Sequence, residues 1–282
     1  MPSFQVLTDS NAHIPPALCQ ELQIRVVPLP YLWEGTTYND GVDFAPRDFY
    51  RRFRSSQNLP KTSGPTPGVF LEAFRELAAN GKPILAILVG ADYSSTQASA
   101  ELAARELLNA KITIFNSCSN ALGLGFQVLA AARAARDGAD LEQALAVVRR
   151  VQANSGVVFA VPDLNYLRQG GRIGLAQSLL SNALRLVPIL ELDQGPIRPV
   201  ERVRTQGRAI SRLVELTKAR VGDERPRRIG VLHADAENRA WQLKNLIERE
   251  MQPDELLLVE LNPILAIHVG PGAFGIGYAS GD

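Results

Sequence analysis

The chain has 282 residues, of which 46% are hydrophobic and 21% charged, as in globular proteins with one large domain or two smaller ones. Its 30 lysines and arginines nearly balance 29 aspartates and glutamates, so no overall charge directs it to nucleic acid or to an anionic membrane. Two stretches without charged side chains, 112–132 and 261–281, contain too many polar residues, glycines or prolines to span a bilayer.

The N-terminus and the cysteines favour a cytoplasmic protein. The first residues have neither a basic start nor a long apolar core, so no secretory signal is predicted. Cys19 and Cys118 are too few for a disulfide framework, and their spacing matches no zinc site. Two reduced thiols are typical of the cytoplasm.

The first half of the chain alternates short apolar runs with segments of helical periodicity. Residues 4–7, 83–89 and 111–116 are rich in Val, Ile or Leu and end in polar or small residues, which predicts strands. A helix is predicted near Phe70 from apolar spacing, and another begins after Asp140, which a glutamine follows three residues later. Strands alternating with helices predict an α/β domain with a mostly parallel sheet.

The second half repeats this alternation with a different set of elements. Strands are predicted at 157–161, 228–233, 256–259 and 274–278, and helical stripes at 210–217 and 240–247. We therefore predict two domains, 1–157 and 158–282. The seam between two such domains favours a ligand pocket.

Four polar segments follow predicted strands or precede predicted helices: 8–10, 61–67, 93–96 and 116–119. Ligands of open parallel sheets bind beyond the carboxyl ends of the strands, and short hydroxyl side chains beside free backbone N–H groups suit an anion. The same serines and threonines could equally be helix caps and turn formers. The segments alone leave both interpretations open.

The three histidines differ in context. His13 follows a turn and precedes an isoleucine and two prolines, so we expect it on the solvated surface. His233 ends a predicted strand at a strand-to-helix turn. His268 ends an apolar run and enters a Gly-Pro-Gly turn, where it could contact an anion or handle a proton. A bond to a neighbouring backbone group explains His268 equally well.

Catalytic motifs are incomplete in this sequence. Ser94 lacks both glycines of a nucleophile elbow, and neither the dinucleotide fingerprint nor the Walker loop occurs. Gly123 and Gly125 form only half of a dinucleotide fingerprint. No pair of carboxylates has evident acid–base geometry, so the sequence shows no complete catalytic apparatus.

Four segments in order resemble the DegV family of lipid-binding proteins, which includes the binding subunits of bacterial fatty-acid kinase. They are 164–173 (LNYLRQGGRI), 187–190 (VPIL), 202–205 (RVRT) and 268–272 (HVGPG). The resemblance extends from 8–10 (TDS) to the last of them, essentially the full length. It implies an N-terminal α/β domain with a mostly parallel sheet and helices on both faces, and a C-terminal mixed sheet with helices.

The resemblance also implies the residues of a fatty-acid site. Thr62 and Ser63 correspond to a Thr-Ser pair that holds the acyl carboxylate, and Ser94 and His268 belong to the same polar network. Arg172 corresponds to an arginine at the pocket mouth that matters for activity with the kinase. The supporting positions are Asp9, Ser10, Ser95, Arg204, Gly270 and Gly272.

The function implied is non-covalent carriage of one long-chain fatty acid. A separate fatty-acid kinase would phosphorylate the bound acid to an acyl phosphate for phospholipid metabolism. The carrier would need no cofactor or metal, perform no chemistry, bind no nucleic acid and make at most transient membrane contact. The alternatives are a lipid hydrolase or acyltransferase that uses Ser94 with His268, and a regulatory module whose lipid merely stabilises the fold.

Composition suggests residues for the tunnel lining, and several positions depart from the family pattern. Lining candidates are equally compatible with ordinary core; they are Leu179, Leu180, Leu184 and Leu186. Asn116 replaces a family aspartate, Ala121 a serine, Ser95 a glycine, and Ala266-Ile267 a Gly-Thr pair. We expect these changes to crowd the polar end of the site and to make it less polar.

Overall fold

The computed structural model describes residues 2–56, 58–179 and 186–281. Its strands are Gln5–Asp9 (β1), Ile24–Val27 (β2), Pro30–Trp33 (β3), Thr36–Asn39 (β4), Lys61–Thr62 (β5), Ile84–Leu88 (β6), Ile112–Asn116 (β7), Ser155–Ala160 (β8), Val187–Leu192 (β9), Arg198–Val203 (β10), Arg227–His233 (β11), Glu255–Glu260 (β12) and Phe274–Ser280 (β13). Its α-helices are Pro16–Glu21 (α1), Pro46–Ser55 (α2), Pro67–Ala78 (α3), Thr96–Arg105 (α4), Ala121–Arg136 (α5), Leu141–Ala153 (α6), Asn165–Gln169 (α7), Gln206–Val221 (α8), Glu237–Met251 (α9) and Pro263–Val269 (α10). Short 3₁₀ turns occupy Ser10–Ala12 and Gly174–Leu179.

The N-terminal sheet has the strand order β2-β1-β6-β7 and is parallel throughout. Every residue of β6 is buried, because helices cover both faces of such a sheet. The carboxyl ends of β1, β6 and β7 lie at one edge, so the polar segments that follow them are brought together. A small antiparallel sheet, β4-β3-β5, lies beside this edge and ends at Thr62.

The C-terminal sheet is mixed, with the order β10-β9-β8-β13-β11-β12. β11 and β12 are parallel, whereas the other pairs are antiparallel. One face packs against α8 and α9, where alternate residues such as Ile189 and Val231 enter a separate core cluster. The opposite face contributes Val157, Phe159 and Leu190 to the large cluster shared with the N-terminal part of the chain.

Helix α5 lies between the two large sheets. It is rich in alanine and is buried along most of its length. Gly125 approaches the carbonyl of Ala12 so closely that a Cβ would overlap it, and Gly123 is equally tight against Ser119. The two glycines that resemble half of a dinucleotide fingerprint therefore serve helix packing. In the part of the chain that the structure describes, no helix is long and apolar enough to cross a membrane.

The α/β class and the parallel-then-mixed arrangement are confirmed, and the predicted strands are present with ends that differ by a few residues. Asp140 caps α6 through a reciprocal capping box with Gln143, as its sequence indicates. The predicted boundary between residues 157 and 158 lies inside β8, and the division into two domains stays a prediction. The run that ends at His268 is a helix, α10, which periodicity did not identify.

Candidate functional site

Hydroxyl side chains from separate segments line one polar pocket. Thr62 and Ser63 come from the end of β5, and Ser94 and Ser95 from the turn between β6 and α4. His268 closes the pocket from α10. The remaining lining residues are Asn11, Leu29, Gly64, Tyr93, Asn120, Arg172, Ile264 and Leu265.

His268 is a buried, neutral member of this pocket. Its Nε2 lies 3.0 Å from the Thr62 hydroxyl, and the tautomer decides which group donates. Burial, and after it the positive charge of Arg172, lower the pKa of His268 to about 4. Its Nδ1 is buried without a hydrogen-bond partner among the described residues and faces Gly170, where a Cβ would overlap it.

Ser94 is held by its own turn. Its Oγ lies 2.7 Å from the Thr96 hydroxyl and accepts a hydrogen bond from the Thr96 N–H at 3.2 Å. Ser95 is exposed. Its hydroxyl lies so close to Gly64 that a Cβ at position 64 would overlap it. The extra hydroxyl at position 95 therefore crowds the pocket, as expected, but keeps that edge polar.

An apolar cavity adjoins the polar pocket. Five residues line both spaces, so the polar pocket and the cavity are direct neighbours: Tyr93, Asn120, Arg172, Leu265 and His268. The cavity is otherwise lined by Ala121, Val157, Phe159, Leu167, Leu192, Ile197, Leu232, Leu261, Val269, Ala273, Phe274 and Gly275.

Arg172 lines both the polar pocket and the apolar cavity, and it binds the backbone carbonyl of Tyr93. Its Nε and Nη2 donate to the Tyr93 carbonyl at 3.1 and 3.0 Å, and its Nη1 donates to the Gly170 carbonyl at 2.8 Å. The Tyr93 hydroxyl in turn donates to the Gly195 carbonyl. Arg172 therefore ties the β6–α4 turn to the segment after α7, rather than presenting a free guanidinium.

A third, outer cleft shares Thr62, Arg172 and His268 with the polar pocket. It includes the exposed side chains of Lys61 and Gln169. Arg172 thus lines both the polar pocket and the outer cleft. Its predicted roles at the mouth and with a partner stay predictions.

Asp9 and Ser10 do not line the polar pocket, but their side chains bind backbone groups beside it. The Asp9 carboxylate accepts the N–H of Val89 at 2.8 Å and that of Asn11 at 3.0 Å, tying β1 to the end of β6. Burial raises the pKa of Asp9 to about 7, against the lowering effect of these bonds. The Ser10 hydroxyl accepts the N–H of Leu29, a pocket residue, at 3.2 Å.

Of the other predicted supporting residues, two glycines lie next to the site and Arg204 does not. Gly270, with a φ of 76°, ends α10, and a Cβ there would overlap the ring of Tyr166. Gly272, with a φ of 89°, donates its N–H to the Ala234 carbonyl at 2.6 Å. Both positions need glycine and hold the turn after His268. Arg204 is exposed just after β10, and neither the pocket nor the cavity includes it.

The expectation that His13 is a solvated surface residue is wrong. Only 4% of His13 is exposed, and burial lowers its pKa to about 4. Its Nδ1 bonds the Asn11 carbonyl at 2.9 Å, and its Nε2 accepts the Asn262 N–H at 3.0 Å. Both ring nitrogens are thus bonded to backbone groups, one of them 249 residues away, and these contacts hold the ring inside the protein.

Several pocket residues were missed from sequence. Asn11 and Asn120 follow strands β1 and β7, the position that pointed to the serines, and could have been found in the same way. Tyr93 was noted only as part of its segment. The Oδ1 of Asn11 is buried with no partner among the described residues, which leaves it available inside the pocket. Leu29, Ile264 and Leu265 carry no sequence signal of a site.

Of the lining leucines proposed from sequence, Leu179 and Leu186 do not line the described cavity. Leu179 is half-buried against the main core cluster, and Leu186 lies just before β9. Leu180 and Leu184 lie outside the described residues. In the described part of the chain the wall comes mainly from strands β8, β9, β11 and β13 and from α10, with single residues from α5 and α7 and several from loops.

The departures from the family pattern have visible consequences. The Asn116 side chain accepts the N–H groups of Ala91 and Cys118 at 3.2 and 3.0 Å, so it joins the ends of β6 and β7. Ala121 lines the apolar cavity, and Ile267 lines the outer cleft. These last two make the surroundings of the polar pocket less polar, as expected.

Neither cysteine is in a disulfide, and no group of three or more His, Cys, Asp or Glu side chains among residues 2–56, 58–179 and 186–281 could hold a metal ion.

Known proteins resemble this chain over almost its whole length. The family model described as "Uncharacterised protein, DegV family" matches residues 3–281. A DegV domain-containing protein of Streptomyces coelicolor is 33% identical over 274 residues, which cover 96% of this chain and 96% of that protein. Protein DegV of Bacillus subtilis is 30% identical over 275 residues, 97% of this chain and 98% of its own.

Solved structures agree with this similarity. A structure described as showing fatty acid binding by a DegV family protein from Thermus thermophilus has a TM-score of 0.93 and 31% identity, covering 99% of this chain and 100% of that one. DegV of Bacillus subtilis, described as a fatty acid binding protein, has a TM-score of 0.91 and 28% identity, with 100% of both chains covered. The chain belongs to the DegV family.

Proposed function

We propose that this protein binds one long-chain fatty acid, with the acyl chain in the apolar cavity and the carboxylate in the polar pocket. The observation that carries the proposal is that the polar pocket and the apolar cavity adjoin, with Tyr93, Asn120, Arg172, Leu265 and His268 lining both. A molecule with one polar end and a long apolar body matches that arrangement. The relatives described as fatty-acid-binding proteins support the same ligand class.

The chemistry of the pocket suits a carboxylate held by hydrogen bonds. A buried carboxylate is costly unless donors surround it, and the hydroxyls of Thr62, Ser63 and Ser94 are donors that can turn toward it. Hydrogen bonds to a charged group are stronger than neutral ones. Burial of the acyl chain contributes about 0.8 kcal/mol per methylene group, so the cavity supplies affinity and the pocket supplies orientation.

We infer further that the protein presents the carboxylate to a partner fatty-acid kinase, which forms the acyl phosphate. The outer cleft supports this, because it connects Thr62, Arg172 and His268 with exposed residues around it. A partner that docks over the cleft would reach the carboxylate without extracting the acyl chain. The two free thiols support a cytoplasmic location for this exchange.

The geometry favours carriage over catalysis by Ser94 and His268. An activated nucleophile bonds a base that a third group orients. Ser94 instead bonds Thr96, and His268 bonds Thr62. The lowered pKa of His268 makes it a weak base toward Thr62, and its Nδ1 has no orienting partner among the described residues.

Mass spectrometry of the intact protein, first native and then denatured with extraction, tests the proposal. We expect a native mass excess that is released as a long-chain fatty acid, or uptake of added fatty acid by a bare preparation. Thr62→Val should lower the affinity roughly tenfold, because one hydrogen bond to a charged group is lost. Thr66→Val is the matched control, since Thr66 is exposed in the same segment and its side chain does not cap α3.

The alternatives predict other results. A protein that neither carries nor takes up fatty acid would contradict the proposal. Turnover of a lipid ester that disappears in Ser94→Ala would favour the hydrolase or acyltransferase. Fatty-acid binding with a partner that has no kinase activity would favour a regulatory module.

A further inference from the structure

Helix α10, which carries His268, is held at its start by a carboxylate from the N-terminal part of the chain. Asp40 Oδ1 accepts the N–H of Ile264 at 2.9 Å, and Asp40 is only 2% exposed. The first N–H groups of a helix have no partner within the helix, so a buried helix start needs an acceptor from elsewhere. Asp40 supplies that acceptor.

Two further side chains fix the same helix start. His13 Nε2 accepts the N–H of Asn262, the residue before α10, at 3.0 Å. The Tyr50 hydroxyl donates to the carbonyl of Leu261 at 2.8 Å. All of these contacts join segments that are more than 200 residues apart in sequence. The entry of the chain into α10 is therefore set by the N-terminal part of the molecule.

The position of His268 follows from this anchor. Ile264 and His268 are four residues apart, so they lie on one face of the helix, one turn from each other. Ile264 and Leu265 themselves line the polar pocket. The Asp40 backbone N–H also donates to the carbonyl of Leu29, another pocket residue, at 2.9 Å. A shift at Asp40 would thus move lining residues of the polar pocket from two separate segments of the chain.

We propose that Asp40 and His13 are positioning residues for head-group recognition. By capping α10 they hold His268 Nε2 against Thr62, and so keep the polar pocket shaped for a carboxylate. This inference rests on the proposed function and deepens it, because it assigns specificity for the head group to residues that do not contact the ligand.

Three variants separate this role from a general effect on folding. Asp40→Ala removes the acceptor, whereas Asp40→Asn keeps an oxygen that can accept the Ile264 N–H. Asp43→Ala is the matched control: the Asp43 carboxylate lies in the same loop and accepts a backbone N–H, that of Asn39, at 2.6 Å, but it does not bond α10.

Two measurements are made on the full-length variants. The first is the ¹⁵N chemical shift of the His268 imidazole, which reports its hydrogen bond to Thr62 and needs no ligand. The second is the affinity for oleic acid and for oleyl alcohol, by competition with a fluorescent fatty acid. Loss of fold would weaken both ligands equally, whereas loss of head-group positioning weakens the acid more.

In Asp40→Ala we expect a changed His268 shift and a roughly fivefold fall in the ratio of acid to alcohol affinity. Asp40→Asn should restore both values, and Asp43→Ala should match the wild type. If Asp40→Ala does not fold, His13→Gln is the second variant, and it should lower the same ratio. An unchanged His268 shift, or equal weakening of both ligands, would overturn the inference. A wild type that binds neither ligand would instead defeat the proposed function, while the His268 shift would still decide the positioning role.

Discussion

The polar pocket and the apolar cavity are built in different ways, although they share a boundary. The hydroxyls of the pocket come in short runs, 62–63 and 94–95, placed at the ends of strands by the sheet topology. The cavity wall takes one to three residues from each of several strands and helices that are far apart in sequence. The polar groups that would bind a carboxylate therefore come from a few short segments. The apolar residues that would surround an acyl chain come from many segments across the fold.

This difference has an energetic side. Burial of ten methylene groups would contribute about 8 kcal/mol, whereas a single hydrogen bond contributes about 1 kcal/mol. The dispersed cavity should therefore dominate affinity, and the concentrated pocket should dominate the choice of head group. Changes in the cavity are expected to have the larger effect on binding.

The largest effect is expected from a polar side chain in the cavity wall. Leu192 is 5% exposed and lines the cavity at the end of β9. Leu192→Asn should weaken fatty-acid binding by about 10- to 100-fold, because an amide buried against an acyl chain costs about 1–3 kcal/mol without a partner. The check is the rise in melting temperature that saturating fatty acid produces in the wild type and in the variant.

Ile189→Asn is the control for Leu192→Asn. Ile189 lies on the same strand, but its side chain enters the core cluster beneath α8 and α9. Both substitutions should lower the melting temperature of the free protein. Only Leu192→Asn should lose the ligand-induced rise. Equal losses in both variants would mean that the cavity is ordinary core and that the acyl chain lies elsewhere.

Sequence motifs indicated residues of the polar pocket, whereas nothing in the sequence indicated the cavity wall. Ser94 follows β6, at the edge where the carboxyl ends of parallel strands bring polar segments together. Thr62 and Ser63 come instead from the end of the antiparallel strand β5, and His268 comes from α10, so the family motifs rather than that rule indicated them. No such rule identifies which face of β8 or β9 borders an empty space. The leucine-rich run after Ser178 attracted the lining prediction by composition alone.

The error at His13 has a related cause. A histidine before two prolines gives no local indication of burial, because its partner, Asn262, lies 249 residues away. Helix α10 was hidden for the same reason. Its apolar residues are buried nearly all round, so no amphipathic period distinguishes it from a strand. Long-range contacts decide both cases, and local patterns cannot report them.

A smaller effect is expected at the boundary between the two spaces. Arg172 makes three hydrogen bonds to the carbonyls of Tyr93 and Gly170, a pattern that lysine cannot reproduce. Arg172→Lys keeps the positive charge and should lower fatty-acid affinity about fivefold, mainly through faster release. Stopped-flow measurement of ligand release checks this. The control is Arg168→Lys, because Arg168 lies in the same segment and is exposed. If ligand release is unchanged in Arg172→Lys, the positive charge alone retains the ligand and the three hydrogen bonds are not needed.

The smallest effect is expected from pH acting on His268. Burial and Arg172 lower the pKa of His268 to about 4, so its imidazole should stay neutral from pH 8 to pH 5.5. An imidazole that gained a proton near its ordinary pKa of about 6.5 would bind a carboxylate more tightly as the pH falls. The difference in fatty-acid affinity between the wild type and His268→Gln should therefore be constant over this range.

The comparison cancels the titration of Asp9 and Asp40, whose pKa values burial raises to about 7 and about 6. If the difference in affinity instead widens toward pH 5.5, a positive charge on His268 holds the carboxylate, rather than hydrogen bonds from the hydroxyl groups of the pocket.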